Sequence, residues 1–332
     1  MEHTRRAATG ALLVAAAAGV AALIPHQAHA APTADAATPG AKPPPPTSGA
    51  LAAPPPTTPA DDASIGAGKD AFQHLTAPVM LNGQGPFPFM VDTGANISCV
   101  SRQLAQALGA PILAPRPMHT MVGVGDHPVT LIEELRIGEL KRREVTMLAV
   151  ALEEAKLAGV LGVDWLKDQR MTMDFVDNSL QFSASHHDWS RLGRVIVPAR
   201  RRFGQLTIVD AELGSERISA MIDSGSEASL CNTALLRRVE PRGRRGGKRQ
   251  VIPMLSVLGE PFVGDVVYLP FLKLGGLELG DVPVVYADTH AFEIWGLTDT
   301  PAVLLGMDLL RQFRAVSLDF GRAEVRFDLA NA

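Results

Sequence analysis

Cysteine and aromatic side chains are scarce in this chain. Of 332 residues only Cys99 and Cys231 are cysteine, and aromatics make up 5%. Neither cysteine has a histidine near it in sequence, as a thiol nucleophile paired with a base would favour. Few aromatics, with 30 Gly and 25 Pro, argue against a helical bundle. They suit a turn-rich β protein with a Val/Ile/Leu/Met core. An excess of charge is also missing. The formal net charge of −4 gives no argument for nucleic acid or for an acidic partner. The nine histidines show no metal-ligand spacing, so no metal and no cofactor is expected. No Gly-x-Ser-x-Gly occurs, and Gly123-Val124-Gly125 lacks the third glycine of a phosphate-binding loop.

The length suffices for two domains. Hydrophobic residues reach 46%, inflated by alanine in the first 65 positions. Arg5 and Arg6, the uncharged stretch Ala11–Ile24 and Ala28-His29-Ala30 read as a signal peptide over residues 1–30. The stretch is short for a membrane span. Export, to the periplasm, is the expectation; an uncleaved membrane anchor is the alternative. Thr4-Arg5-Arg6 also hints at twin-arginine export. Residues 31–66, with Pro43–Pro46 and Pro54–Pro56, read as a disordered Pro/Ala/Thr-rich linker.

What the chain does have is a repeated phrase. Phe89-Met90-Val91-Asp92-Thr93-Gly94-Ala95 returns 131 residues later as Ala220-Met221-Ile222-Asp223-Ser224-Gly225-Ser226. Each copy is followed by a second shared phrase, Val160-Leu161-Gly162-Val163-Asp164 and Leu304-Leu305-Gly306-Met307-Asp308. Later still, Met173-Asp174-Phe175 matches Leu318-Asp319-Phe320. Several matched phrases in one order indicate internal duplication. Short alternating runs separated by turn signals fill both copies. Asn82-Gly83, Gly125-Asp126, Asp177-Asn178, Gly214-Ser215, Gly259-Glu260 and Gly321-Arg322 mark hairpins. Short helices are expected over Ser101–Leu108 and Asn232–Arg238. The reading is all-β with short helices, in two homologous lobes over residues 70–185 and 194–329.

An Asp at the end of an apolar strand, followed by Thr/Ser-Gly, has a physical logic. The apolar residues seat the strand in the core, and glycine permits close approach of another backbone. Thr93 and Ser224 can hydrogen-bond across to the opposite lobe. Two carboxylates held about 3 Å apart cannot both ionise, so they share a proton. The ionised one can activate water and the protonated one can polarise a carbonyl.

The doubled Asp-Thr/Ser-Gly turn, each with an apolar-apolar-Gly partner, is similar to that of the aspartic proteases of the retropepsin and pepsin group. Asp92-Thr93-Gly94-Ala95 has the retroviral form. The Leu-Gly-x-Asp-x-Leu phrases (Leu161–Leu166, Leu305–Leu310) resemble bacterial retropepsin-like proteins. The resemblance covers nearly everything after Asp70 and implies two β-barrel lobes fused as a pseudo-dimer with one site between them. It implies an aspartic endopeptidase acting on a protein or peptide. Asp92 and Asp223 would be the catalytic pair, supported by Thr93, Gly94, Ser224 and Gly225 and backed by Gly162 and Gly306. Both half-sites lie in one chain, so a monomer is expected. The candidate flap, His119–Pro128 with its tip at Gly123, Val124 and Gly125, lacks the tyrosine found in pepsins. Pro253–Gly264 sits at the corresponding place in the second lobe, and one or both could close over substrate. The alternative is an inactive peptide-binding or scaffolding module of the same fold.

The remaining residues read more plainly. Asp164 and Asp308 stand at helix starts, where a carboxylate caps free N–H groups. Asp174 and Asp319 read as hairpin residues. Cys99 and Cys231 read as buried thiols, although an exported compartment permits a disulfide. The basic run Arg237–Arg249 is a solvated loop, a contact for a membrane surface or acidic substrate, or a site of nicking.

Overall fold

The computed structural model describes residues 63–69, 74–152, 155–166, 169–185, 194–202, 204–239 and 250–329. The signal segment, most of the linker, His186-His187 in the connector and Arg242–Arg249 of the basic run lie outside the described residues.

The first lobe contains β1 (Ala63–Gly66), β2 (Gly68–Lys69), β3 (Leu75–Leu81), β4 (Gln84–Val91), β5 (Cys99–Ser101) and α1 (Arg102–Ala107). It continues through β6 (Ile112–His119), β7 (Val124–Ile137), β8 (Leu140–Val150), β9 (Gly159–Leu161), β10 (Gln169–Asp174) and β11 (Ser179–Ala184). The second lobe repeats the order with β12 (Arg194–Arg202), β13 (Gln205–Leu213), β14 (Glu216–Ile222), β15 (Leu230–Cys231), α2 (Thr233–Val239), β16 (Val251–Leu255), β17 (Pro261–Leu274) and β18 (Leu277–Tyr286). It ends with α3 (His290–Ile294), β19 (Ala302–Leu305), α4 (Met307–Leu310), β20 (Ala315–Asp319) and β21 (Glu324–Asp328). The structure is mainly β with short helices, and its sheets curve into two barrel-like lobes.

The duplication is visible in strand order. One lobe runs β4-β9-β5-β8-β7-β6 and the other β14-β19-β15-β18-β17-β16. In each, the strand ending in Asp lies parallel to the short strand that ends just before a glycine: β4 with β9 and β14 with β19. Parallel neighbours must be buried on both faces. The sequence supplies continuous apolar runs there, and Phe89, Met90, Val91, Ala220, Met221 and Ile222 are all buried. Helix α1 starts where Ser101 accepts a hydrogen bond from Leu104 N at 3.1 Å, and α2 where Asn232 accepts one from Leu235 N at 2.9 Å.

Two differences from the sequence reading stand out. Ala63–Gly66, assigned to the disordered linker, forms β1 and pairs antiparallel with β11. The first lobe therefore begins before residue 70. Its composition hid this, because an edge strand of four residues with Ile65 as its one large apolar side chain carries little hydrophobic signal. The other difference is the turn expected at Gly125-Asp126. Both residues lie within β7, paired with Met118 and Pro117, and the chain reverses over Thr120–Gly123.

The lobes share strands. β10 pairs antiparallel with β20, so β1, β11 and β10 of one lobe continue into β20, β21 and β12 of the other. A buried ion pair crosses this seam: Arg170 Nε and Nη2 lie 3.0 and 2.9 Å from Asp319 Oδ2. Ser185 Oγ donates to Asp319 Oδ1 at 2.6 Å.

Candidate active site

The two Asp turns meet where β4 and β14 end. Gly94 N and Ala95 N donate to Asp92 Oδ1 at 2.7 and 3.1 Å, and Gly225 N donates to Asp223 Oδ1 at 2.9 Å. Each turn also grips the other. Thr93 N donates to Ser224 Oγ at 3.1 Å, and Ser224 N donates to Thr93 Oγ1 at 3.0 Å. The hydroxyls donate onward into the opposite strand, Thr93 to Ile222 O at 2.9 Å and Ser224 to Val91 O at 2.8 Å. Four buried hydrogen bonds thus fix the two turns against each other.

The glycines are required by the approach they allow. A Cβ on Gly94 would lie 2.5 Å from Asp223 Oδ2, and one on Gly225 would lie 2.3 Å from Asp92 Cγ. Each carboxyl therefore sits directly over the other turn's glycine. The structure brings Asp92, Thr93, Gly94, Asp223, Ser224 and Gly225 to one point.

Both carboxyls are buried, and each acts on the ionisation of the other. Burial, then the charge of Asp223, pushes the Asp92 carboxyl well above the usual carboxylate range. Burial raises Asp223 to about 6, opposed by Asp92, the Gly225 N–H and His74. Interacting acids lose their protons in two steps that belong to the pair. Between those steps the pair holds one proton and one charge. Among the described residues no group hydrogen-bonds to Asp223 Oδ2.

A support layer lies behind the turns. A Cβ on Gly162 would come within 2.8 Å of Ala95 O, and one on Gly306 within 2.6 Å of Ala228 C and O. Gly162 N donates to Ser98 Oγ at 3.0 Å and Gly306 N to Ser229 Oγ at 2.9 Å. Those hydroxyls in turn donate to Asp164 Oδ1 at 2.8 Å and Asp308 Oδ1 at 2.7 Å. Neither Asp caps a helix as expected: Asp164 lies in a turn, and α4 has Gly306 at its N-cap with no side-chain cap. Each anchors a serine that holds a glycine behind the site, and Asp308 also accepts Leu309 N at 2.8 Å. Ser98 and Ser229 escaped the sequence reading, although they too are 131 residues apart.

Two hairpins reach across to the opposite lobe. The first turns over Thr120–Gly123, where Thr120 Oγ1 accepts from Val122 N and Gly123 N at 3.2 Å. The expected tip, Gly123-Val124-Gly125, is therefore displaced: Val124 and Gly125 belong to β7. Met121 at the true tip is buried in a cluster whose other members, such as Met221, Ile252 and Phe292, belong to the second lobe. Its carbonyl accepts His290 N at 2.9 Å. Beside it, His119 Nδ1 and His290 Nε2 lie 2.9 Å apart. The second hairpin, β16–β17, does the converse. Val257 is buried among first-lobe residues including Met90, Cys99 and Leu148. Ser256 Oγ accepts from Leu258 N and Glu260 N at 3.2 Å. The tips align as Thr120-Met121-Val122-Gly123 and Ser256-Val257-Leu258-Gly259, a match that could have located both.

The other singled-out residues lie elsewhere. Asp174 Oδ1 accepts Val176 N and Asp177 N in its hairpin turn. Asp319 accepts Arg322 N at 2.9 Å in its own turn and also joins the interlobe ion pair. Cys99 and Cys231 are buried and form no disulfide. Burial, then the charges of Asp164 and Asp92, pushes the Cys99 thiol far up, so it is no nucleophile. Arg238, at the start of the basic run, pairs with Glu216 at 3.1 Å. Among the described residues no group of three or more His, Cys, Asp or Glu side chains is placed to hold a metal ion.

Comparison with known families agrees with this geometry. Residues 77–168 match the family described as "gag-polyprotein putative aspartyl protease". Residues 209–309 match the family described as "Aspartyl protease". No curated protein matches the chain. Each match spans one Asp turn with its glycine element, and the chain belongs to the retropepsin-like aspartyl proteases, with two family domains in tandem.

Proposed function

We propose that the protein is an exported aspartic endopeptidase in which Asp92 and Asp223 hydrolyse peptide bonds. One observation carries the reading: two buried carboxyls are brought together, each seated over the other turn's glycine. Asp92, the more strongly raised, holds the shared proton. Ionised Asp223 draws a proton from water as the water oxygen attacks the peptide carbonyl carbon, and Asp92 protonates the carbonyl oxygen. When the tetrahedral intermediate collapses, the C–N bond breaks. Asp223 then returns its proton to the leaving nitrogen, and Asp92 recovers one from the diol. The burial that raises both acids also strengthens every charge interaction at the reacting atoms.

Both tips are docked against the opposite lobe, and both carboxyls are buried. Substrate entry requires the Thr120–Gly123 and Ser256–Gly259 turns to withdraw, and their return excludes water. A single chain supplies both half-sites, so a monomer suffices. Export rests on the N-terminal sequence.

The test is cleavage of a peptide library by wild type, Asp92→Asn and Asp223→Asn, together with binding of a statine-type transition-state mimic. Cleavage by wild type, and loss of at least about 10³-fold in each variant, is expected. Tight binding of the mimic without any cleavage by wild type would instead identify a peptide-binding module.

A further inference from the structure

The two half-sites differ in a way the repeated phrase does not show. Gln205 opens β13, is fully buried, and donates its Nε2 to Gly94 O at 2.5 Å. It thus reaches from the second lobe to the turn that carries Asp92. The residue 131 positions earlier, the same spacing that relates Asp92 to Asp223, is His74. His74 is also fully buried and immediately precedes β3, the counterpart of β13. An amide is neutral at every pH, whereas an imidazole can carry a proton and a positive charge. By the equivalence of the two lobes, His74 holds on the Asp223 side the place that Gln205 holds on the Asp92 side, an imidazole where the other turn has a neutral amide.

We propose that His74 is a positioning residue that makes the pair asymmetric, directing the negative charge to Asp223 and leaving the proton on Asp92. This rests on the reading of Asp92 and Asp223 as the reacting pair. The surroundings of each acid agree with it. Asp92 feels burial, Asp223 and the N–H groups of Gly94 and Ala95. Asp223 feels burial, Asp92, the N–H groups of Gly225 and Ser226, and His74, which favours its ionised form. Symmetric carboxyls would place the proton on either side equally. A single imidazole on one side removes that degeneracy, so the base and the acid of the reaction are assigned before substrate arrives. The Thr93 and Ser224 grip cannot do this, because it acts alike on both turns.

The test replaces His74 by the residue its counterpart already has. In His74→Gln the loss of the imidazole should raise the first ionisation of the pair. The acid limb of the kcat/KM profile then moves up by about half a unit to one unit, a three- to ten-fold loss on the acid side. A purely structural role would lower activity at all pH values and leave the limb in place. Titration of the ¹³C-labelled Asp carboxyls by NMR gives the same answer without any need for turnover. An unchanged Asp223 titration in His74→Gln overturns the proposal. If wild type cleaves nothing while the Asp223 titration still moves, His74 keeps its role and the protease reading falls. Should His74→Gln fail to fold, Gln205→His is read instead. It supplies Asp92 with a matching imidazole and should bring the two titrations closer together; no change there also overturns the proposal.

Discussion

At the scale of single residues, the site is two acids kept from their usual ionisation. Both carboxyls are raised in the folded protein, Asp223 to about 6 and Asp92 well above the usual range. A raised carboxyl binds its proton more tightly folded than unfolded. Its contribution to stability is full below the unfolded value and is lost as pH rises through the folded one. The pair should therefore weaken the fold as pH climbs from about 4 past 6. Asp92→Asn keeps the shape and removes one of the two ionisations. It should be more stable than wild type at pH 8, where the folded protein holds the Asp92 proton at a cost the unfolded chain does not bear. At pH 3.5 the two should be equal. Urea midpoints at the two pH values check this; equal midpoints at pH 8 contradict it.

At the scale of elements, the hairpins decide access. Met121 and Val257 each bury a side chain in the opposite lobe, so opening must expose apolar surface. Truncating a buried Met costs about 2–5 kcal/mol when the site cannot collapse. Met121→Ala should therefore populate the open hairpin. Amide exchange over Thr120–Gly123 should speed up at least ten-fold, with exchange in β10 and β20 unchanged. Exchange that stays at the wild-type rate would mean the Met121 contact does not hold the flap.

Much of this was legible in the sequence. The doubled Asp turns and their glycine partners stand in order, and α1 and α2 carry readable caps at Ser101 and Asn232. The flap tip lies earlier than the glycine-rich Gly123-Val124-Gly125 suggests, because a threonine turn is less visible in sequence than glycines are. Thr120 Oγ1 in fact makes the turn by accepting two N–H groups. β1 was missed because its role is set by pairing with β11, a contact with no local signature. Helix α3 was missed as well; it is one short turn whose Phe292 and Ile294 serve tertiary packing. Ser98 and Ser229, and His74 against Gln205, become visible only when the two copies are aligned at their constant spacing.

At the scale of the whole molecule, the lobes are joined by a continuous sheet across β10 and β20 and by the Arg170–Asp319 pair. Both side chains of that pair are buried. Removing one partner strands the other's charge, which costs about 3–5 kcal/mol, whereas replacing both by apolar groups is often near neutral. Asp319→Ala should lower the denaturant midpoint sharply, and Arg170→Met with Asp319→Leu should restore only part of it, because buried Arg326, Ser185 and the Arg322 N–H also lose Asp319. If the single and double variants are equally unstable, the pair is not what holds the seam.

The pH dependence of kcat/KM for peptide cleavage by the wild-type protein tests the central claim most directly. A pair that shares one proton must give a bell, with an acid limb near pH 6 set by Asp223 and an alkaline limb set by the more strongly raised Asp92. A single limb, or a plateau that persists in Asp92→Asn or Asp223→Asn, would contradict the account.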